Sequence, residues 1–356
     1  MALRRHIPIL AALIAVPALQ MALSAADATY YLTQVTMAIY SCLTVVGLSL
    51  LMGCAGQVSL GQAGFFAAGG YLAAFLTTHD LAPMADARFV RALDAMSLLV
   101  QRETLYGAKV THLSPWPAFA AAVAIAGVIA LLIGLPVIRL RGHYLAMATL
   151  GFGIIVYRVV LGTPAFGEAD GISDVPPFRL FAGLEVNGRA PFRVQNYYIA
   201  CAATLLVMVL ASNLMRSRMG RALRAIHEDE EAARSLGIDV ARAKLSVFVL
   251  SALLAAIGGA LTAHYNGSIG PSSASAMRSV RYVAIVAAGG MANLWGTLLT
   301  GLILTFLSLR GVFGSFDDAV FGLVLIVTMM FAPGGLLRLP SRPAWLRRKA
   351  DAAGAP

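Results

Sequence analysis

The chain has 356 residues, of which 59% are hydrophobic and only 12% charged, against about 25% charged in soluble domains. It carries a net charge of +10 and three cysteines. That balance excludes a soluble globular enzyme, a disordered chain and a disulfide-stapled secreted domain, and the apolar residues gather in runs near the ~20 that cross a bilayer.

The first run, 7–24, follows Arg4 and Arg5 and reads as a membrane span. Ser24-Ala25-Ala26 also supplies the small residues of a signal-peptidase site, so residues 1–29 stand apart as an N-terminal span or signal anchor. After the second span, 30–52, the segment 53–71 (GCAGQVSLGQAGFFAAGGY) carries six glycines, with Gln57, Ser59 and Gln62 among them. Small residues allow close helix contact in lipid, where no hydrophobic force drives helices together. Polar side chains at that depth face a bundle interior or a water-filled path, so Gln57, Ser59 and Gln62 are candidates for a translocation path or a partner contact. The plain alternative is that they satisfy one another in helix packing.

The third span, 60–78, leads into a polar insertion, 80–116, with an amphipathic helix expected around 89–100. Spans follow at 117–138 and 143–161, the latter adding Tyr144 and Thr149 to the path candidates. A polar loop at 162–195 then precedes the span 196–215. Residues 216–244 (RSRMGRALRAIHEDEEAARSLGIDVARAK) hold seven basic and five acidic side chains. Each charge costs roughly 3 kcal/mol at a helix centre in lipid, so the segment lies in water. Leu223, Ile226, Ala233 and Leu236 are spaced to share one face of an amphipathic helix, with Gly237 as its stop. The remaining spans are 245–264, 280–291, 294–312 and 319–337, followed by a basic tail at 339–356. The 280–291 run is too short for an ordinary crossing and is expected to be broken, re-entrant or joined to its neighbour across Gly289 and Gly290.

Ten crossings with the N-terminus inside place Arg4, Arg5, Arg139, Arg141, the seven bases of the loop, and Arg338, Arg342, Arg347, Arg348 and Lys349 on one side, sixteen against eight outside. The positive-inside rule therefore assigns both termini and 216–244 to the cytoplasm. The same bias explains the net charge, and no basic stripe interleaved with aromatics points to nucleic acid. No phosphate loop, HExxH, CxxC pair or GxSxG elbow is present, so no catalytic residue, metal or cofactor is expected. Cys42, Cys54 and Cys201 read as inert buried thiols.

Four blocks resemble the LivM-type permease subunits of bacterial branched-chain amino acid ABC importers: SLGQAGFFAAGGYLAA at 59–74, IRLRGHYLAMATLGFG at 138–153, MGRALRAIHEDEEAARSLGIDVARAKL at 219–245 and AAGGMANLWGTLLTG at 287–301. The likeness runs from about residue 30 to 337. It implies an all-α polytopic membrane protein of about ten transmembrane helices, a type II importer-like bundle over 30–338 with a cytoplasmic coupling helix. The third block is similar to an ATPase-coupling loop, which implies that role for Gly220, Leu223, Ile226, Glu231, Ala232, Ala233, Leu236 and Gly237. The implied partners are a second, LivH-like permease, two ABC ATPase subunits and a periplasmic binding protein, with the protein multi-pass in the bacterial inner membrane. FGEADGISDVPPF, at 166–178, departs from the TGGxxGI stretch usual in relatives, which leaves the substrate open. Branched-chain amino acids lead; urea, amides, carboxylates or sugars are alternatives, as is an ATP-independent carrier.

Overall fold

The computed structural model describes residues 2–80, 98–103, 109–140, 142–180 and 183–331. Among these, ten helices answer the expected spans: α1 (Ala2–Ala25), α2 (Tyr31–Ala55), α3 (Gln62–Thr78), α4 (Pro115–Val137), α5 (His143–Gly162), α6 (Arg193–Arg216), then, past two short helices of the charged loop, α9 (Val240–Asn266), α10 (Ala276–Gly289), α11 (Leu294–Leu309) and α12 (Asp317–Phe331). The two short ones are α7 (Arg218–Glu228) and α8 (Glu230–Ser235). Seven helices are at least 18 residues long and apolar enough to cross a membrane. The chain is thus an all-α polytopic membrane protein.

Helix α2 carries no charged residue and is apolar on every side, the pattern of a helix enclosed by others. It packs against α6, α9, α10 and α11. Some of its hydroxyls are absorbed locally, as where Thr36 donates to the Leu32 carbonyl at 2.7 Å, or across the bundle, where Ser49 donates to the Met291 carbonyl at 2.9 Å, while those of Tyr40 and Thr44 are buried without a partner among the described residues. Gly56, at φ +64°, ends the helix in the left-handed conformation. Helix α1 lies at the periphery, with Tyr197 of α6 donating to its Val16 carbonyl.

Glycines set the closest contacts. A Cβ at Gly259 of α9 would collide with the Phe66 carbonyl of α3, and one at Gly69 with the Ala256 backbone, so α3 and α9 cross backbone to backbone. The neighbouring Gly258 faces α2, where an added Cβ would lie 2.8 Å from the Tyr40 carbonyl oxygen. Two adjacent glycines therefore let α9 touch α2 on one side and α3 on the other. Gly289 and Gly296 do the same for α10 and α11.

The short eighth run resolves as a separate helix. Helix α10 stops at Gly289, Gly290 takes φ +92°, and Asn293 caps α11 by accepting the Gly296 N–H, so the chain reverses rather than continuing into its neighbour.

The end of the bundle away from the charged loop is closed by loops. There β3 (Ile172–Ser173) pairs with β6 (Ser268–Ile269), and β4 (Phe178–Arg179) with β5 (Glu185–Val186). Of the helix expected around 89–100, residues 89–97 lie outside the described residues. Its last two residues belong instead to β1 (Leu99–Glu103), antiparallel to β2 (Lys109–Leu113). The two segments pair backbone to backbone, Leu99 opposite Leu113 through Glu103 opposite Lys109, which a helix over 89–100 would not allow. The basic tail also lies outside the described residues. The three cysteines are buried and unpaired.

Candidate functional site

The charged loop folds as two helices, not one. Ser217 caps α7 by accepting the Gly220 N–H at 3.3 Å. A Cβ at Gly220 would strike the Leu214 and Met215 carbonyls, so only glycine lets α7 turn back this sharply from α6. Asp229 then breaks the helix and restarts it: its Oδ1 accepts the N–H groups of Glu231 and Ala232 at 2.8 and 3.0 Å. Gly237, at φ +81°, closes α8 as expected, with Gly237 N–H to the Arg234 carbonyl and Ile238 N–H to the Ala233 carbonyl.

That break sorts the eight candidate loop residues. Gly220, Leu223, Ile226 and Ala233 are buried against the chain's own bundle, Leu223 and Ala233 each at 1% exposure. Glu231, Ala232, Leu236 and Gly237 face outward, Leu236 at 79%. The expectation that Leu236 shares a face with Leu223 is therefore corrected, because the periodicity does not carry across the Asp229 cap. The apolar face anchors the loop, and the outward rim is what another molecule can reach.

One strong contact was invisible in the sequence. Lys244 Nζ lies 2.6 Å from Glu230 Oε2, with the lysine side chain 9% exposed and the glutamate 23%. The reading that all the loop charges lie in water fails for Lys244, which is buried and paired. This ion pair ties α8 to the base of α9. The only hint was its place beside Leu245, at the head of an apolar run.

The path candidates divide as well. Gln57, Ser59, Gln62 and Thr149 are all buried. They gather where the α2–α3 connection meets α5, α9 and α10. Leu60 N–H donates to Thr149 Oγ1 at 3.0 Å, Gln62 Nε2 to Ser251 Oγ at 3.1 Å, and Ala63 N–H to Ser279 Oγ at 3.2 Å. Among the described residues the side-chain oxygens of Gln57 and Gln62 have no donor. Tyr144 is not part of this node; it stands 72% exposed on α5. Thr149→Val is expected to destabilise the protein by about 1–3 kcal/mol, since it strands the Leu60 N–H in the interior. Thermal unfolding in detergent checks this: Thr149→Ser must stay close to wild type, and an equal fall for both would assign the effect to the lost methyl instead.

A second polar feature was missed. At the loop-covered end, Arg281 of α10 pairs with Asp317 (2.5 Å) and Asp318 (2.6 Å) at the start of α12. These lie beside a cavity of about 470 Å³ that Arg278 also lines. In the sequence Arg278 falls between the spans 245–264 and 280–291 and Arg281 inside the second, and the pairing joins residues 37 apart, beyond any local pattern.

A family model described as a branched-chain amino acid transport system permease component matches residues 30–332. The chain is 30% identical to the high-affinity branched-chain amino acid transport permease LivM of Salmonella typhimurium over 90% of this chain and 72% of that protein. It is 31% identical to Escherichia coli LivM over 87% and 70%. Against the E. coli permease LivH it is 31% identical over 48% of this chain and 58% of LivH. No solved structure matches significantly.

Proposed function

The chain belongs to the family of branched-chain amino acid transport system permease components, and from that we propose that it is one of two permeases in an ATP-driven importer of branched-chain or related amino acids. It is a transport component of a multi-pass membrane protein assembly, not an enzyme. One of two ATPases docks on the outward rim of the charged loop at the cytoplasmic face, a LivH-like permease completes the pathway, and a binding protein delivers substrate from the periplasm. Both termini lie in the cytoplasm of a bacterial inner membrane.

One observation carries the reading most directly. The loop is anchored on one side, by Leu223, Ile226, Ala233 and the Glu230–Lys244 pair, and bare on the other, where Leu236 is 79% exposed and packs into no core among the described residues. Held on a fixed turn, that exposed leucine is available to a protein partner. Movement of that turn is transmitted straight into α9, a rigid-body route for switching access.

Proteoliposomes containing this chain are the test, with and without the partner permease and ATPases, supplied with labelled leucine on the binding protein. Uptake is expected only with the full set and ATP. Gradient-driven accumulation by this chain alone would replace the importer with a secondary carrier.

A further inference from the structure

The cavity at the loop-covered end holds a cation with nothing to bind. Arg278 lies over the Phe66 ring at 4.5 Å from its centroid, and its Nε donates to the Tyr282 hydroxyl at 3.1 Å. Stacking and that bond fix the guanidinium plane, while its terminal nitrogens meet no carboxylate among the described residues. Such a fork matches a carboxylate with two parallel hydrogen bonds. One helical turn along α10, Arg281 holds Asp318 through a single oxygen, Oδ1, at 2.8 and 2.6 Å. The second oxygen of Asp318 is free among the described residues, and Asp318 lines the same cavity. Ile285 and Phe321 supply apolar wall.

Two guanidinium groups and two carboxylates gather here, so the charges of the site cancel overall, yet Arg278 stands apart from the Arg281 pairs and, within the cavity, so does the second oxygen of Asp318; Asp317 Oδ1 also lacks a donor but does not line the cavity. A simple anion would use Arg278 and leave the site charged; a sugar would leave Arg278 unpaired. A zwitterion satisfies both groups. We propose that this cavity binds a free α-amino acid, its carboxylate on the Arg278 fork, its ammonium on Asp318 and its side chain against the apolar wall of Ile285 and Phe321. The proposal rests on the importer reading and adds a substrate site within this subunit, at the end where a delivered substrate enters. A volume of about 470 Å³ holds a leucine-sized solute with water.

The experiment measures radiolabelled L-leucine binding to the whole permease complex in nanodiscs, without binding protein. L-Leucinamide, which lacks the carboxylate, and 4-methylpentanoate, which lacks the ammonium, should each compete at least about tenfold more weakly than leucine. Arg278→Gln should weaken leucine binding by about tenfold or more, and Arg278→Lys should recover only part of it, since an ammonium cannot form the fork. Competition on the wild-type protein keeps the test valid if Arg278→Gln folds poorly. Leucinamide competing as well as leucine, wild-type affinity in a folded Arg278→Gln protein, or no leucine binding at millimolar concentration overturns the proposal. So does a variant that loses capture of the binding protein but not of leucine, which would make Arg278 a docking residue. If leucine binds as described while no ATPase co-purifies, the importer reading fails and the site stands; if ATPases assemble and uptake proceeds while Arg278→Gln is indifferent, the site alone fails.

Discussion

Valine at position 259 is expected to leave almost no correctly assembled protein. Overpacking in a core that can adjust costs about 1–3 kcal/mol. Here the obstruction is the Phe66 carbonyl of α3, which cannot swing aside as a side chain does, so the cost lies above that range. Separating α3 from α9 would also pull Gln62 from Ser251 and Gly258 from α2, so the damage spreads through the centre of the bundle. Monodisperse yield in detergent is the readout. Gly322→Val is the control, because a Cβ there meets nothing within 4 Å, and it should behave as wild type. A Gly259→Val protein recovered at wild-type yield and elution volume would show that the two helices do not touch at this point.

The second large effect is functional and should leave folding intact. Leu236→Asp changes a side chain that is 79% exposed and makes no core contact, so yield and melting temperature should not move. If the outward rim is where the ATPases grip, burying that leucine contributes about 1.5–3 kcal/mol to the contact. Its loss, with a desolvated carboxylate in its place, should weaken ATPase association by about 10–100-fold or more. Quantitative co-purification of the ATPases, followed by uptake in proteoliposomes, reads this out. Full association and full uptake by the variant would move the docking surface away from α8.

Much of the architecture was legible because it follows from hydropathy and length alone. The limits of α2, α4 and α6 follow from charge-free runs bounded by polar residues, and the glycine pairs pointed to close crossings. The stop at Gly237 was legible too, since only a left-handed residue closes the turn there. What failed did so for identifiable reasons. The helix break at Asp229 was signalled by an aspartate followed by Glu230 and Glu231, an N-terminal signature, but the apolar spacing was read through it. Tyr144 was grouped with Thr149 because both lie in one block, although five positions apart on a helix face different ways. The Lys244–Glu230 and Arg281–Asp318 pairs join residues 14 and 37 apart, across turns whose geometry no local pattern specifies.

The enclosure of α2 also has a consequence for how the protein is made. It is the second helix to leave the ribosome, yet it is enclosed by α6, α9, α10 and α11, which follow much later. The carbonyl that receives the Ser49 hydroxyl is 242 residues downstream. At translation rates of roughly 5–20 residues per second, about 10–50 s pass before that partner is synthesised. Throughout this interval α2, with Ser41, Thr44 and Ser49 along its length, must wait in lipid or in the care of the insertion machinery, without its neighbours. Biogenesis therefore has a vulnerable intermediate, and slow elongation between α3 and α9 should raise the fraction of nascent chains removed by membrane proteases.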